Sequence, residues 1–360
     1  MSKIAITADI HFGVPGKLQD IVWACKTLRQ YCYDNSIDTV LILGDLFHNR
    51  QALEIDVLSE VYKFFEDTNQ KYYQKWIAFP GNHDMFLKHS WDVNSLTSLR
   101  SHLTVIEDIK ILKIDDRRFW ILPFIAHEKS YNKVVRYIEK QYIEGDVLLT
   151  HIGVRGALLN TCFLLKDWSY VNFEISKFKR IYTGHFHVQQ QVGENVWYPG
   201  SLIPFKFDEG DVDHGFYVYD TIADQHEFIN IWDINRVNQP PQYHTILDEN
   251  VKTIERKIIN NNQIRVVLQK EHTQEDKREI KEHLLQLGAK SIKWMNIQSK
   301  AEIQDRKGTI TIPSRNLFRA WVESDKKGVA DLNTVLLHQL HSEIVTEGDE
   351  IYSREDTDLT

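Results

Sequence analysis

Apolar positions along the first 220 residues follow two alternating rhythms. Continuous runs such as Ile4-Ala5-Ile6-Thr7, Thr39-Val40-Leu41-Ile42-Leu43 and Lys75-Trp76-Ile77-Ala78-Phe79 predict strands covered on both faces. Phe119-Trp120-Ile121-Leu122, Asp146-Val147-Leu148-Leu149 and Arg180-Ile181-Tyr182-Thr183 predict three more. Between them Ile21, Cys25, Leu28 and Cys32, and then Leu53, Val57, Val61, Phe64 and Phe65, recur at helical spacing, and 129–141 also reads as helix. Strands alternating with helices predict an α/β sheet built from βαβ units with helices on both faces.

From about Asn195 the pattern turns β-rich, through Val196-Trp197-Tyr198, Gly215-Phe216-Tyr217-Val218-Tyr219 and His226-Glu227-Phe228-Ile229-Asn230-Ile231. These are expected to be antiparallel strands that close a second sheet against the first. Gln239-Pro240-Pro241 then breaks the chain and marks a domain boundary. Beyond it Ile264, Val266 and Leu268 alternate like a strand, while Ile280, Leu284 and Leu287 recur like a helix that Gly288 stops. Ile292, Trp294 and Ile297 predict another strand, so a small α+β cap is expected. Two amphipathic stretches follow Pro313, one around Leu317, Phe318, Trp321 and Val322, the other through Leu332, Leu336, Leu340 and Ile344. The expected division is 1–238, 239–312 for the cap, 313–346 for a helical pair, and a disordered acidic tail over 347–360.

Composition narrows the class. Apolar residues make up 42% of the 360 and charged residues 26%, an ordinary globular balance. The three cysteines (Cys25, Cys32, Cys162) lack metal-type spacing and are too few for a disulfide framework, so reduced thiols in a cytoplasmic protein are expected. No run approaches the ~18 apolar residues of a membrane span. The net charge of −8 argues against a simple DNA-coating protein, but it is unevenly spread. Residues 251–310 hold 13 Lys and Arg against 8 Asp and Glu, which marks one segment as the place to meet an anion. A solvated lysine-rich helix face would give the same imbalance.

Five polar motifs follow predicted strands: Asp9-x-His11, Gly44-Asp45-x-x-His48, Gly81-Asn82-His83-Asp84, His151 and Gly184-His185-x-His187. Singly, most read as a turn or a strand-end histidine; Gly184-His185-x-His187 is stronger, because two imidazoles two residues apart on an extended segment are poor core material. Together, at the carboxyl ends of strands, they are placed to converge on one crevice. Asp9, His11, Asp45, Asn82, His151, His185 and His187 offer carboxylate, imidazole and amide donors but no thiolate, a mixture suited to manganese, iron or zinc. Seven donors are too many for one ion and fit two that share a bridging carboxylate. Two ions ~3.5–4 Å apart can clamp the attacking and leaving oxygens of a phosphoryl displacement.

The ordered set resembles the calcineurin-like metallophosphoesterase superfamily over roughly 1–230. Within it, Gly44-Asp45-Leu46-Phe47-His48 and Tyr198-Pro199-Gly200-Ser201-Leu202-Ile203-Pro204, followed by Phe207, Glu209 and Gly215-Phe216-Tyr217, resemble the SbcD-type nuclease subunit of double-strand-break repair complexes and its phage recombination relatives. The resemblance implies a four-layer β-sandwich flanked by helices, with the small cap and a C-terminal helical pair. It implies that Asp9, His11, Asp45 and His187 hold one divalent ion and that Asp45, Asn82, His151 and His185 hold the other. Manganese is the expected ion, with iron, magnesium and zinc as alternatives. His83 would stabilise the scissile phosphate or protonate the leaving 3′-oxygen, Asp84 would orient that imidazole or its loop, and His48 would position substrate for exonuclease cleavage. Metal-bound water has a strongly lowered pKa, which makes hydroxide available for hydrolysis near neutral pH.

The expected function is therefore a two-metal DNA exo- or endonuclease acting in end processing, repair or recombination. Alternatives are a phosphodiesterase for small or RNA phosphoesters and a DNA-end tethering subunit with dispensable nuclease activity. Lys277, Arg278, Lys281, Lys290 and Lys293 are candidates for a phosphate-tracking surface. Leu317, Phe318, Trp321 and Leu336 are candidates for docking on an SMC-like, SbcC-type ATPase, and the resemblance also implies a homodimer. The expected location is the cytoplasm, nucleoid-associated, or the host cytoplasm for a phage-encoded chain. His89, His102, His127 and His214 fall outside the motifs and read as surface or packing histidines.

Overall fold

The structure is a computed structural model that describes residues 3–87, 90–160, 163–164 and 176–296. Cys162, His89, Ile297, Leu317, Phe318, Trp321, Leu336, the expected helical pair and the acidic tail lie outside the described residues. In chain order the first elements are β1 (Lys3–Thr7), α1 (Leu18–Asp34), β2 (Thr39–Ile42), α2 (Ile55–Asp67), β3 (Lys75–Ala78) and β4 (Thr104–Val105). Then come β5 (Lys110–Ile114), β6 (Arg117–Leu122), α3 (Glu128–Glu139), β7 (Val147–His151), β8 (Leu158–Asn160) and β9 (Phe163–Leu164). They are followed by β10 (Ile181–Gly184), β11 (Gln190–Val192), β12 (Val196–Tyr198), β13 (Gly215–Asp220), β14 (Gln225–Asn230) and α4 (Ile231–Ile234). The last are β15 (Tyr243–Leu247), α5 (Arg256–Ile259), β16 (Gln263–Leu268), α6 (Gln274–Gln286) and β17 (Ser291–Asn296).

The chain divides into two compact units. The first comprises 1–157, 165–205 and 213–240 and holds two six-stranded sheets. One sheet runs β14-β13-β1-β2-β3-β4, with β1 to β4 parallel and β13 antiparallel to β1. The other runs β11-β12-β10-β7-β6-β5, parallel through its four central strands. This corrects the expected strand allocation. The alternating strands do not all share one sheet, because β6, β7 and β10 belong to the second. Nor do β13 and β14 close that second sheet, because they extend the first.

Alternation along each strand explains the continuous apolar runs. Ala5, Val40, Ile42, Trp76 and Ala78 face α1 and α2, against Ile21, Cys25, Leu28, Val57, Val61 and Phe65. Ile4, Ile6, Leu41 and Ile77 face inward, against Phe119, Ile121, Val147, Leu149 and Tyr182 of the second sheet. On the far side, Tyr131 of α3 donates its hydroxyl to Thr150 Oγ1 at 2.8 Å, which places that helix over the outer face of the second sheet. Four layers result: helices, sheet, sheet, helix. Both sheets are covered on both faces, which is why neither reads as half-polar.

The second unit comprises 158–164, 206–212 and the chain from Pro241 on. Its strands β8 and β9 pair antiparallel, and β15-β16-β17 form a separate, all-parallel sheet wound as βαβ units, where an α+β cap was expected. Ile264, Val266, Leu268, Ile292 and Trp294 pack on Ile280 and Leu284 of α6. Thr273 caps that helix, accepting from Asp276 N at 3.1 Å, while the Asp276 carboxylate accepts from Thr273 N at 2.8 Å. The sheet's opposite face carries Arg265, which pairs with Asp208 at 3.0 Å and lies over the Phe207 ring.

Candidate metal centre

The carboxyl ends of β1, β2 and β3 from one sheet meet those of β7 and β10 from the other. The register puts Gly184 beside His151, so His151 and His185 arrive together. The loops after β2 and β3 approach so closely that side chains are excluded between them. A Cβ on Gly44, whose φ is +83°, would stand 2.5 Å from His151 Nδ1 and 2.7 Å from the Gly81 Cα, and one on Gly81 would overlap Asp45. Asp9, His11, Asp45 and His185 themselves adopt positive φ (51°, 53°, 53° and 100°), an uncommon backbone for residues with side chains. Backbone bonds between the loops after β1 and β2 hold it in place: Asp9 N to Gly44 O at 3.2 Å and His11 N to Asp45 O at 3.0 Å.

All seven expected donors converge. Asn82 Oδ1 lies 2.7 Å from His185 Nδ1 and 3.0 Å from His151 Nε2, and that same Nε2 lies 3.3 Å from Asp45 Oδ2. A second set forms around His11, whose Nε2 is 3.0 Å from His187 Nε2, 3.7 Å from Asp45 Oδ2 and 4.0 Å from Asp9 Oδ1. Donors ~2.1 Å from a common ion at right-angled to tetrahedral directions stand roughly 3.0–3.4 Å apart, which the 3.0 and 3.3 Å spacings match, while 3.7 and 4.0 Å correspond to wider angles at the ion. The two sets share one atom, Asp45 Oδ2.

The electrostatics agree with that fit. Burial drives Asp9 up to about 6, against the pull of His151 and His187. Burial also works to raise Asp45, yet the His151 and His83 imidazoles hold it well below the usual carboxylate range. Burial keeps His11 well below its ordinary value and takes His185 down to about 3, so both rings are neutral with lone pairs to give. His151 goes the other way: burial opposes charge, but Asp45 and then Asp9 lift it to about 9. Its Nδ1 lies 2.7 Å from the Leu43 carbonyl, which can only accept, so Nδ1 carries the proton and Nε2 faces Asn82 and Asp45.

Around the donors, His83 donates Nδ1–H to the His48 carbonyl at 2.7 Å, and the two rings stack with centroids 5.5 Å apart and planes 11° apart. His48 Nδ1 also lies 3.4 Å from His11 Nδ1. Asp84 does not reach the His83 ring. Its carboxylate accepts from the backbone of Gly81, Phe47 and Leu46 at 3.0, 3.0 and 3.3 Å and from the Ser95 hydroxyl at 3.2 Å. Of the two roles expected for Asp84, this geometry serves the loop. Burial and then Asp45 push it up to about 7 despite those donors.

Phe124 and Phe205 contribute to the site although no motif in the sequence includes them. Phe124 stacks on His185 with centroids 6.1 Å apart, and Phe205 meets the rings of His11 and His187 edge-on. Tyr198 ties down the loop after His151, its hydroxyl accepting from Val154 N and donating to Ile152 O, both at 2.9 Å. Phe124 lies just past the end of β6, so the strand-end rule that found the ligands would have found it too. Ser201 N donates to His187 O at 3.0 Å, giving the Tyr198–Pro204 segment a supporting task. Of the remaining histidines, His214 is a packing residue, with Nδ1 3.0 Å from the Ser201 carbonyl, and His102 lies against Tyr62. His127 is exposed.

The five basic residues expected to track phosphates do not share a face. Lys277, Arg278 and Lys281 lie on α6, where Arg278 is already paired with Glu275. Lys293 alternates with Trp294 to the opposite side of the sheet, 5.7 Å from the Phe207 ring centroid, and Lys290 is exposed before β17.

The calcineurin-like phosphoesterase family matches residues 2–189, just over half of the chain. The chain belongs to this family. It is thus a metal-dependent phosphoester hydrolase, with Asp and His clusters that could bind the metal. It is 24% identical over 219 residues to the candidate phosphoesterase 244L of Invertebrate iridescent virus 6, covering 58% of this chain and 73% of that one. Identity to the candidate phosphoesterase 078R of Invertebrate iridescent virus 3 is 22%, covering 48% of this chain and half of the relative's length. Among solved structures, nuclease MPE of Pseudomonas putida aligns at 15% identity and a TM-score of 0.29, over 54% of this chain and 66% of its own. GAP50, described as the anchor in the inner membrane complex of Plasmodium, aligns at 10% and 0.38, over 66% and 90%. No helix among the described residues is long and apolar enough to cross a membrane.

Proposed function

We propose that the chain is a two-metal phosphodiesterase whose substrate is DNA. The observation that carries the two-metal reading is the shared Asp45 Oδ2, 3.3 Å from His151 Nε2 and 3.7 Å from His11 Nε2. One cation position takes Asp9, His11, Asp45 and His187, and the other takes Asp45, Asn82, His151 and His185. Bound there, two divalent ions supply Lewis-acid charge for the phosphoryl oxygens and a nucleophile at neutral pH. The surrounding side chains orient and move protons. His83, whose Nδ1–H is spent on the His48 carbonyl, presents Nε2 to the pocket. Burial lowers its pKa, so it is neutral in the free protein, and an anionic phosphate beside it favours the protonated form needed to donate to a leaving oxygen. His48 backs that ring by stacking.

DNA is favoured over smaller esters by the resemblance of the His48 motif and the Tyr198–Pro204 segment to SbcD-type nucleases, and by the basic character of the cap. The same reading includes manganese as the working ion, a homodimer, and an SbcC-type ATPase partner bound through 313–346. The test incubates purified protein and manganese with end-labelled duplex DNA and, separately, with bis(p-nitrophenyl) phosphate. Cleavage of both is expected. Turnover of the small ester without DNA cleavage, even beside the ATPase, overturns the DNA assignment and favours a small-ester phosphodiesterase.

A further inference from the structure

Three described arginines, Arg29, Arg50 and Arg118, have a buried Nε that meets no acceptor. Two of them are anchored through their other nitrogens. Arg29 Nη1 donates to the Phe64 carbonyl at 3.3 Å and to the Thr68 hydroxyl at 3.2 Å, and Arg118 Nη2 pairs with Asp146 at 3.2 Å. Arg50 differs from both: it makes no hydrogen bond and no ion pair with any described residue, although it is half-buried. A partly desolvated guanidinium without a counter-charge is costly, and a bound anion removes that cost.

The position of Arg50 indicates which anion. It follows His48 by two residues in the loop after β2, and the Asn49 side chain turns the chain there by accepting from Gln51 N at 3.0 Å. The His48 ring stacks on His83, and its carbonyl fixes His83 Nδ1. Arg50 lies close enough to His83 for its charge to bear on that ring. Asp9 and Asp45 lie deeper and are fully buried, so Arg50 is a positive group at the rim of an anionic pocket. None of the five strand-end motifs includes it.

We propose that Arg50 is a phosphate-binding residue, whose guanidinium takes non-bridging oxygens of the substrate's phosphoryl group beside His83. A planar fork of donors matches two such oxygens, and its fixed charge opposes the negative charge that develops there during displacement. The inference rests on phosphoester chemistry at this site and not on DNA being the ester.

The test measures orthophosphate binding to manganese-loaded protein by calorimetry, for wild type, Arg50→Ala and Arg50→Lys, with metal content and melting temperature recorded for each. Arg50→Ala is expected to bind orthophosphate about ten- to hundredfold more weakly, as loss of a charge-assisted contact implies, at unchanged manganese content. Arg50→Lys is expected to recover part of that loss. The KM for bis(p-nitrophenyl) phosphate should rise in parallel. Unchanged phosphate affinity in Arg50→Ala overturns the assignment, as does absence of phosphate binding to wild type. Loss of manganese or early melting in both variants would show instead that Arg50 is structural. If wild type binds phosphate and turns over the small ester but leaves DNA intact, the DNA assignment fails while the role of Arg50 stands.

Discussion

Asp84 and His83 are adjacent, yet they take separate tasks, and two variants distinguish them. Asp84 is 1% exposed and gathers four donors, so Asp84→Ala strands buried N–H groups and should cost roughly 3 kcal/mol or more in denaturant unfolding. His83→Ala should unfold normally and keep its metal, while turnover falls by about 10²–10⁴, the range of a general acid; loss of metal in that variant would mean His83 is a ligand. Protons and cations also compete for the site. Asp9 at about 6 becomes protonated as pH falls through 6, and His151 at about 9 must give up a proton to donate Nε2. Divalent-ion affinity should therefore climb from pH 6 towards 9 and release about one proton near pH 7.5, read by calorimetry in buffers of different ionisation heat. A pH-independent affinity would contradict the protonation states described for Asp9 and His151. At this scale the sequence was informative for residue types with few structural reasons to sit at strand ends, such as Asn82 or His185-x-His187. It was silent on Phe205, because an aromatic residue that packs against imidazoles looks like any core aromatic.

Strands deliver the site, and their packing should be felt in it. Leu149 is fully buried between the two sheets, two residues before His151. Leu149→Ala should cost about 2–5 kcal/mol and also weaken metal binding, whereas an equally buried residue on the outer helix layer, such as Leu28, should change stability alone. Equal metal affinity in the two variants would show that the site does not depend on the inter-sheet core. The continuous apolar runs made β1, β2, β3, β6, β7 and β10 legible. Their division between two sheets was not, because a strand buried on both faces has the same pattern whichever sheet it joins. The short edge strands β4 and β5 left weaker signals: β4 has two residues, and Lys110–Ile114, in the order Lys-Ile-Leu-Lys-Ile, is only partly buried and lacks a two-residue alternation. Likewise β15 lies just after the Pro240-Pro241 break, where breaker residues mask a strand.

Across the whole molecule, charge and chemistry lie in different segments: carboxylates and imidazoles in the first unit, a lysine-rich stretch in the second. If the cap tracks a phosphate backbone, binding to a DNA duplex should weaken linearly in log–log against salt, and Lys281→Glu with Lys290→Glu should flatten that slope. An unchanged slope would remove those two residues from the DNA surface. Such salt dependence concerns the substrate; the central claim concerns two cations that share Asp45. Electron paramagnetic resonance of the manganese-loaded protein tests it most directly. Two manganese ions per chain with an exchange-coupled spectrum are expected, with loss of that coupling in Asp45→Asn. A single bound ion, or two whose signals are those of isolated manganese, would contradict it.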